Sequence, residues 1–316
     1  MIRSVVPSGL LARSAVVAFV LFMTPCLRAV ERHVPSRYPT IQAAIDACVG
    51  GGEVVIAPGV YTGDGNRDIT TSTYGISVRS SNPLDPAVVA ATIIDLQGSE
   101  SEPHCGFIPT AHFAVSGLTI INGWAANADF VISTGGELMV DHCVLTNNTA
   151  VHGSLIGARG DYRLTMSHCT LMHNTVSIAT TYTVDATDAY ISDCLISENT
   201  GAGIHVFRFC QITSCTISRN SGIGIYASPY SWIESTIADS TIAGNLGGGV
   251  SVDGASVIRC RITGNRTGVI PGDRDSSLED CEIAYNESSG DGGGVYCNGT
   301  TGSITNCRIV GNTAGG

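Results

Sequence analysis

The chain has no lysine; all sixteen of its basic residues are arginine. Every mechanism that needs a lysine amine is thereby excluded. Aromatic residues supply only 6% of the 316 positions and charged residues only 14%, a composition unlike that of a mixed α/β enzyme. Long apolar runs are scarce as well. The run Ala15-Val-Val-Ala-Phe-Val-Leu-Phe-Met23 follows Arg3 and Arg13, precedes a small-residue site near Leu27-Arg-Ala29, and is too short to span a bilayer. It predicts a secretory signal over residues 1–29, a secreted or cell-surface location, and no transmembrane segment once the signal is removed. Cys26 fits a lipid-anchor signal poorly, because Met-Thr-Pro precedes it. Losing Arg3, Arg13 and Arg28 with the signal takes the formal net charge from -11 to -14. A chain this acidic is not expected to bind nucleic acid or anionic lipid.

What the sequence does have is glycine, 38 of it, among many Val, Ile and Thr, which implies short strands joined by tight turns. It also has a repeat. Cys143-Val-Leu-Thr-Asn-Asn148 returns as Cys169-Thr-Leu-Met-His-Asn174, Cys194-Leu-Ile-Ser-Glu-Asn199 and Cys215-Thr-Ile-Ser-Arg-Asn220, then from Ser240, Cys260, Cys281 and Cys307. The steps run from 20 to 26 residues, the spacing of a solenoid. With the cysteine as position zero, position +2 is always aliphatic, so zero and +2 share one face of a strand. Position -3 is also apolar and out of phase with zero, so a corner lies between them. After the asparagine, several repeats carry a third run that begins with glycine, as in Gly203-Ile-His-Val206 and Gly224-Ile-Tyr-Ala227. Each repeat therefore offers three short strands and three bends.

A leucine-rich repeat also carries an asparagine after an apolar strand. That fold needs several leucines per repeat, whereas the whole chain has fifteen. The pattern predicts a parallel β-helix, all-β, in which neighbouring coils lie about 4.8 Å apart and equal positions form columns. Cys143, Cys169, Cys194, Cys215, Cys260, Cys281 and Cys307 become a buried thiol column, packed as small hydrophobes rather than as a disulfide framework. Asn148, Asn174, Asn199, Asn220, Asn245, Asn265, Asn286 and Asn312 become an amide column that satisfies backbone groups stranded at a bend.

Residues 30–62 differ from the coils. Thr40 is expected to cap a short helix with Ile41, Ala44 and Ile45 on one side, stopped by Gly50-Gly-Gly52 and followed by the strand Glu53-Val-Val-Ile-Ala57. Such a helix would close the open end of the solenoid formed by residues 63–316. At the other end the chain stops at Gly316, four residues after Asn312 and without a cap. That points either to a longer protein or to end-to-end stacking on another molecule.

"YPTIQAAIDA", "VVIAPGVYTGDGNRDI" and "LTIING", followed by the C-x-I-x-x-N and GGGVYC coils, resemble the secreted right-handed parallel β-helix proteins of the pectate-lyase-like superfold. The resemblance covers nearly all of the mature chain and is specific for fold, not activity, since the superfold hosts lyases, hydrolases, epimerases and adhesins. One coil departs from the pattern: Leu118 takes the cysteine place, and Asn122 falls at +4 rather than +5. Lyases of the superfold use Lys or Arg as base, often with Ca2+, which leaves Arg159, Arg163 or Arg208 here. The paired aspartates and Gly-His-Gly string of the polygalacturonase type do not occur.

From the residues themselves, the outward corner at position -1 is the most informative column. It stacks His142, His168 and Asp193 in three successive coils, close enough for a metal or acid/base site, although a solvated polar corner is the plainer alternative. Asp239, Arg259 and Asp280, with Arg261, Glu282 and Arg308, are expected to form surface ion-pair ladders. Asp64-Gly-Asn66-Arg-Asp68 alternates oxygen ligands as a Ca2+ loop does, but lacks the sixth-place glycine and the distal acid. Ca2+ is the one cofactor the sequence admits, and none is required. Tyr226, Tyr285 and Tyr296 are candidates for stacking on sugars. No residue set demonstrates catalysis. The preferred expectation is a secreted or surface scaffold contacting polysaccharide or another surface component. The alternatives are a lyase or epimerase on an acidic glycan, and an adhesive module of a longer surface protein.

Overall fold

The computed structural model describes residues 30–126, 130–176, 182–228, 234–272, 276–297 and 302–315. The expected signal, residues 1–29 with Cys26, lies outside the described residues. The chain is an all-β solenoid with one sheet of sixteen strands and another of eleven, joined by parallel pairing from coil to coil. The aliphatic column is continuous: Leu145, Leu171, Ile196, Ile217, Ile242, Ile262 and Ile283 pair in register, and each is fully buried. Burying one such side chain contributes roughly 1.5–3 kcal/mol. A third strip carries Ile132, Ile156, Val184, Ile204, Ile225, Val250 and Val269 in register, all at 0% exposure.

The corners have a common backbone device. All eight residues at position -1, from His142 to Asn306, sit at φ between 50° and 54°. A second left-handed corner falls at +4, on Asn147, His173, Glu198, Arg219 and Tyr285, and on Gly244, Gly264 and Gly311 in the remaining coils. Left-handed backbone costs a side-chain-bearing residue roughly 1–2 kcal/mol, so something must hold each corner. At -1 it is the cysteine. The Sγ of Cys169, Cys194 and Cys215 donates to the carbonyl two residues back at 3.1 Å, and Ser240 Oγ makes the same bond at 2.7 Å. The thiol column is therefore more than hydrophobic filling; each sulfur caps a corner carbonyl, and a hydroxyl does so equally well.

At the other corner the asparagines do the holding. Each Nδ2 donates to the carbonyl of the +2 residue one coil earlier, as Asn174 does to Leu145 at 2.9 Å and Asn245 to Ile217 at 3.0 Å. Each Oδ1 accepts from the backbone N–H and the Nδ2 of the preceding asparagine, as Asn199 does from Asn174 at 3.0 Å for both. Asn148 to Asn286 are all 2% exposed or less. The irregular coil now has an explanation. Asn122 is a left-handed corner residue at φ 57°, and Gly123 takes the ladder place, donating its N–H to Asn148 Oδ1 at 2.8 Å.

The described residues contain two helices. Helix α1, Ile41–Asp46, is capped by Thr40, whose hydroxyl accepts from Ala43 N–H, and it buries Ile41, Ala44 and Ile45 in the core as its sequence implies. Helix α2, Pro86–Ala91, was not anticipated, although Asp85 followed by Pro86 is a legible start signal; Asp85 accepts from Ala87 N–H at 2.9 Å. No helix among the described residues is long and apolar enough to cross a membrane.

Candidate functional site

In three middle coils the third-strip strand and the next first-sheet strand fuse into one long strand, Ile156–Ser167, Tyr182–Ser192 and Ala202–Thr213. The register shifts between Ala158 and Arg163 and again between Ala186 and Asp188, so a bulge replaces the corner. Strand alternation then sends a set of side chains outward from this broad face. Val184, Ala186, Ile204, Val206, Ile225 and Ala227 point into the core; Asp185, His205 and Tyr226, which pair in register between them, point out.

Asp185 and His205 are nevertheless only 2% and 5% exposed. Aromatic rings cover them. The His205 ring stacks on Tyr182 at 4.3 Å and on Tyr226 at 5.1 Å, and meets Phe207 edge-on at 4.0 Å. Its Nδ1 lies 3.0 Å from Asp185 Oδ1, so the carboxylate accepts from Nδ1–H, and in the neutral ring the lone pair is then on Nε2. Nε2 is buried and has no hydrogen-bond partner among the described residues. Burial, and then the nearby Tyr226 and Asp185, push the Tyr182 phenol up to about 12, so it keeps its proton at neutral pH. The cluster thus holds an oriented imidazole base beside a phenol able to donate. Beside Asp185 the strand carries Gly157, where a Cβ would come within 2.0 Å of the Phe130 ring. Only glycine admits that ring.

Further along the same face, Arg163 lies over the Tyr190 ring at 5.1 Å, and Tyr190 packs on Phe209 at 5.1 Å. Tyr190 also lines a groove of about 240 Å³ with Thr165, Ser167, Ser192, Gln211 and Thr213. Five of its linings besides Tyr190 thus offer a hydroxyl or an amide. Arg208 is not free to neutralise a substrate: it grips Asp188 through two bonds of 2.9 and 2.5 Å and Asp161 through one of 2.9 Å. The side chain of Arg159 lies outside the described residues.

The corner column predicted from the sequence is only partly one site. His142 and His168 do meet, ring on ring at 4.3 Å. Asp193 occupies the same exposed corner one coil on, at φ 54°. The carboxylate that touches both rings is Asp141, at position -2, with Oδ2 at 2.8 Å from His142 Nδ1 and Oδ1 at 3.1 Å from His168 Nδ1. Burial raises the Asp141 carboxyl, but the Ser167 hydroxyl and the two neighbouring imidazoles outweigh it and hold the group below its usual range. Sequence analysis missed Asp141, Asp185, His205 and Tyr182. The outward place in Gly203-Ile-His-Val206 was a usable signal for His205; no glycine marks the equivalent strand around Asp185.

The Asp64, Asn66 and Asp68 side chains do not converge on one point but serve separate partners. Asp64 pairs with Arg67, Asn66 Oδ1 accepts from Ile41 N–H, and Asp68 holds His104 Nδ1 and Cys105 N–H. The ion-pair ladders form in part: Arg259 pairs with Asp239 at 2.7 Å and Glu282 lies between Arg261 and Arg308, whereas Asp280 accepts from Asn306 Nδ2 instead of pairing with Arg259.

Comparison with known proteins agrees with this architecture. No match emerges among curated protein sequences. Among solved structures, the A-module of the mannuronan C-5 epimerase AlgE4 from Azotobacter vinelandii superposes with a TM-score of 0.56 at 16% identity, covering 90% of this chain and 94% of the module. The A-module of the mannuronan C-5 epimerase AlgE6 from the same organism gives 0.51 at 16% identity, covering 87% and 91%. At that identity the likeness is one of fold. Residues 66–256 and 207–316 match the family model of the right-handed β-helix region, and the chain belongs to that family.

Proposed function

We propose that this is an exported polysaccharide-binding β-helix whose glycan lies along the broad face made by the three long strands. The observation that carries this is the groove in which Tyr190 stands among Thr165, Ser167, Ser192, Gln211 and Thr213. A sugar offers an apolar ring face and a rim of hydroxyls, and a tyrosine flanked by hydroxyl and amide groups matches both. The fold is shared with polysaccharide-acting enzymes, including epimerase modules that align over nearly their whole length. A panel of neutral and uronate polysaccharides, tested by affinity electrophoresis, checks the proposal. Retention by at least one member is expected, and silence across the panel rejects it.

The buried Asp185–His205 pair favours a second, catalytic reading of the same face: a lyase or epimerase on an acidic glycan. With the exposed Phe207 ring swung aside to open the covered imidazole, Nε2 of His205 would take the proton at C5 of a uronate, and the Tyr182 phenol would return one, to the leaving oxygen in a lyase or to C5 in an epimerase. His205→Asn, which keeps a donor for Asp185, is then expected to slow turnover by about 10²–10⁴. Ultraviolet absorbance of unsaturated ends reports the lyase, and exchange of the C5 proton with solvent reports the epimerase. Neither signal in the wild-type protein returns the cluster to structure.

A further inference from the structure

We propose that Asp141, His142 and His168 form a binding site for a borderline divalent transition metal of the Zn2+ class, adjoining the glycan groove through Ser167 but using none of the groove's own side chains as a ligand. Two backbone features bring the set together. Asp141 and Ser167 are register partners, and so are Val144 and Thr170, which places the two histidines directly above one another. Both histidines also occupy left-handed corners, at φ 51° and 52°, so the same bend throws both rings to the same side. One ligand atom from each of the three residues can be chosen with all three within 4.8 Å of one another. That spacing lets small side-chain rotations close on a single ion, which needs ligands at about 2.0–2.2 Å.

The unliganded chemistry is imperfect in a way that a cation would correct. His142 Nδ1 has no solvent contact and, though 2.8 Å from Asp141 Oδ2, is not aligned to form a hydrogen bond with it. Asp141 is steadied from the other side by Ser167 Oγ at 2.7 Å, the kind of outer support that metal-binding carboxylates carry. Two nitrogens and one oxygen favour Zn2+, Ni2+ or Cu2+ over Ca2+ or Mg2+, which take oxygen. Beside the imidazoles is a groove of about 240 Å³, walled by Pro83, Leu84, Pro86, Val89 and Ala90 of the α2 region. It leaves room for a water or an anionic ligand in an open coordination place, the arrangement of reactive rather than structural zinc.

The test is equilibrium dialysis with Zn2+ and absorbance with Co2+, on protein carrying Cys297→Ser and Cys307→Ser so that the two more accessible described thiols do not compete. One metal per chain is expected, with a Co2+ spectrum free of thiolate charge-transfer bands. His168→Ala and Asp141→Asn should each weaken binding by about tenfold or more. His142→Gly removes a ligand while suiting the left-handed corner, and His168 is half exposed, so both variants are expected to fold. Unchanged Zn2+ affinity in a His142→Gly, His168→Ala double variant, or no binding by the starting protein up to millimolar Zn2+, overturns the proposal.

Discussion

The middle coils and the later coils share an interior and differ outside. Ile204 and Ile225 continue into Val250 and Val269 without a break, all fully buried. On the outside, the middle coils fuse two strands into one and carry Asp185, His205, Tyr190 and Arg163, with Tyr226 on the short strand of the next coil. The later coils keep the strands apart, Gly248–Val252 from Ala255–Ile258, with Gly254 turning between them at φ 92°. On the same face the outward column continues from Tyr226 to Ser251 and Ile270, and the -1 corners of these coils carry ion pairs such as Asp239 with Arg259. A buried carboxylate–imidazole pair costs desolvation that a solvated ladder does not, and nothing in the repeat requires it. The interior repeats because every coil must stack on the next; the exterior is free to vary, and variation there marks function.

The largest expected effect tests whether the interior is as uniform as it looks. Asn199→Leu in the middle coils and Asn265→Leu in the later ones each leave a carbonyl one coil earlier, and the backbone and side-chain N–H groups of the preceding asparagine, unpaired. Each should cost on the order of 3 kcal/mol, read by chemical denaturation with hydrogen exchange to locate the loss. A cost confined to one region would break the comparison. A middle-sized effect sharpens it from outside. Tyr190→Ala should weaken glycan binding about tenfold, or about 1.4 kcal/mol. Tyr285→Ala, at a 66% exposed later corner, should leave binding unchanged. The smallest effect concerns the corners themselves. Ser214 is exposed at φ 54°, and Ser214→Gly should stabilise by about 0.5 kcal/mol, since relief of the left-handed strain is partly offset by a freer unfolded chain. A lower melting temperature would mean that the corners carry no strain.

The columns were legible in the sequence because a stacked solenoid forces equal positions into equal surroundings. Cys169, Ile196 and Asn220 announced burial by recurrence alone. Recurrence was right but incomplete for cysteine: the thiols do pack in the core, while Ser240 in the same place held the clue that a donor to a carbonyl was needed as well. The candidate sites were harder to read because they break the period. Asp185 is linked to His205 only once strand fusion and a bulge have set the register. Asp141 lies one place before the corner that the repeat made conspicuous, and only the left-handed bend turns both imidazoles back onto it.

The central claim is that the broad middle face, not the later ladder face, meets the glycan. Hydrogen–deuterium exchange with and without the best-retained polysaccharide of the panel tests it most directly. Protection should concentrate in the strands between 156 and 213. Protection confined to the strands after 235 would contradict the account.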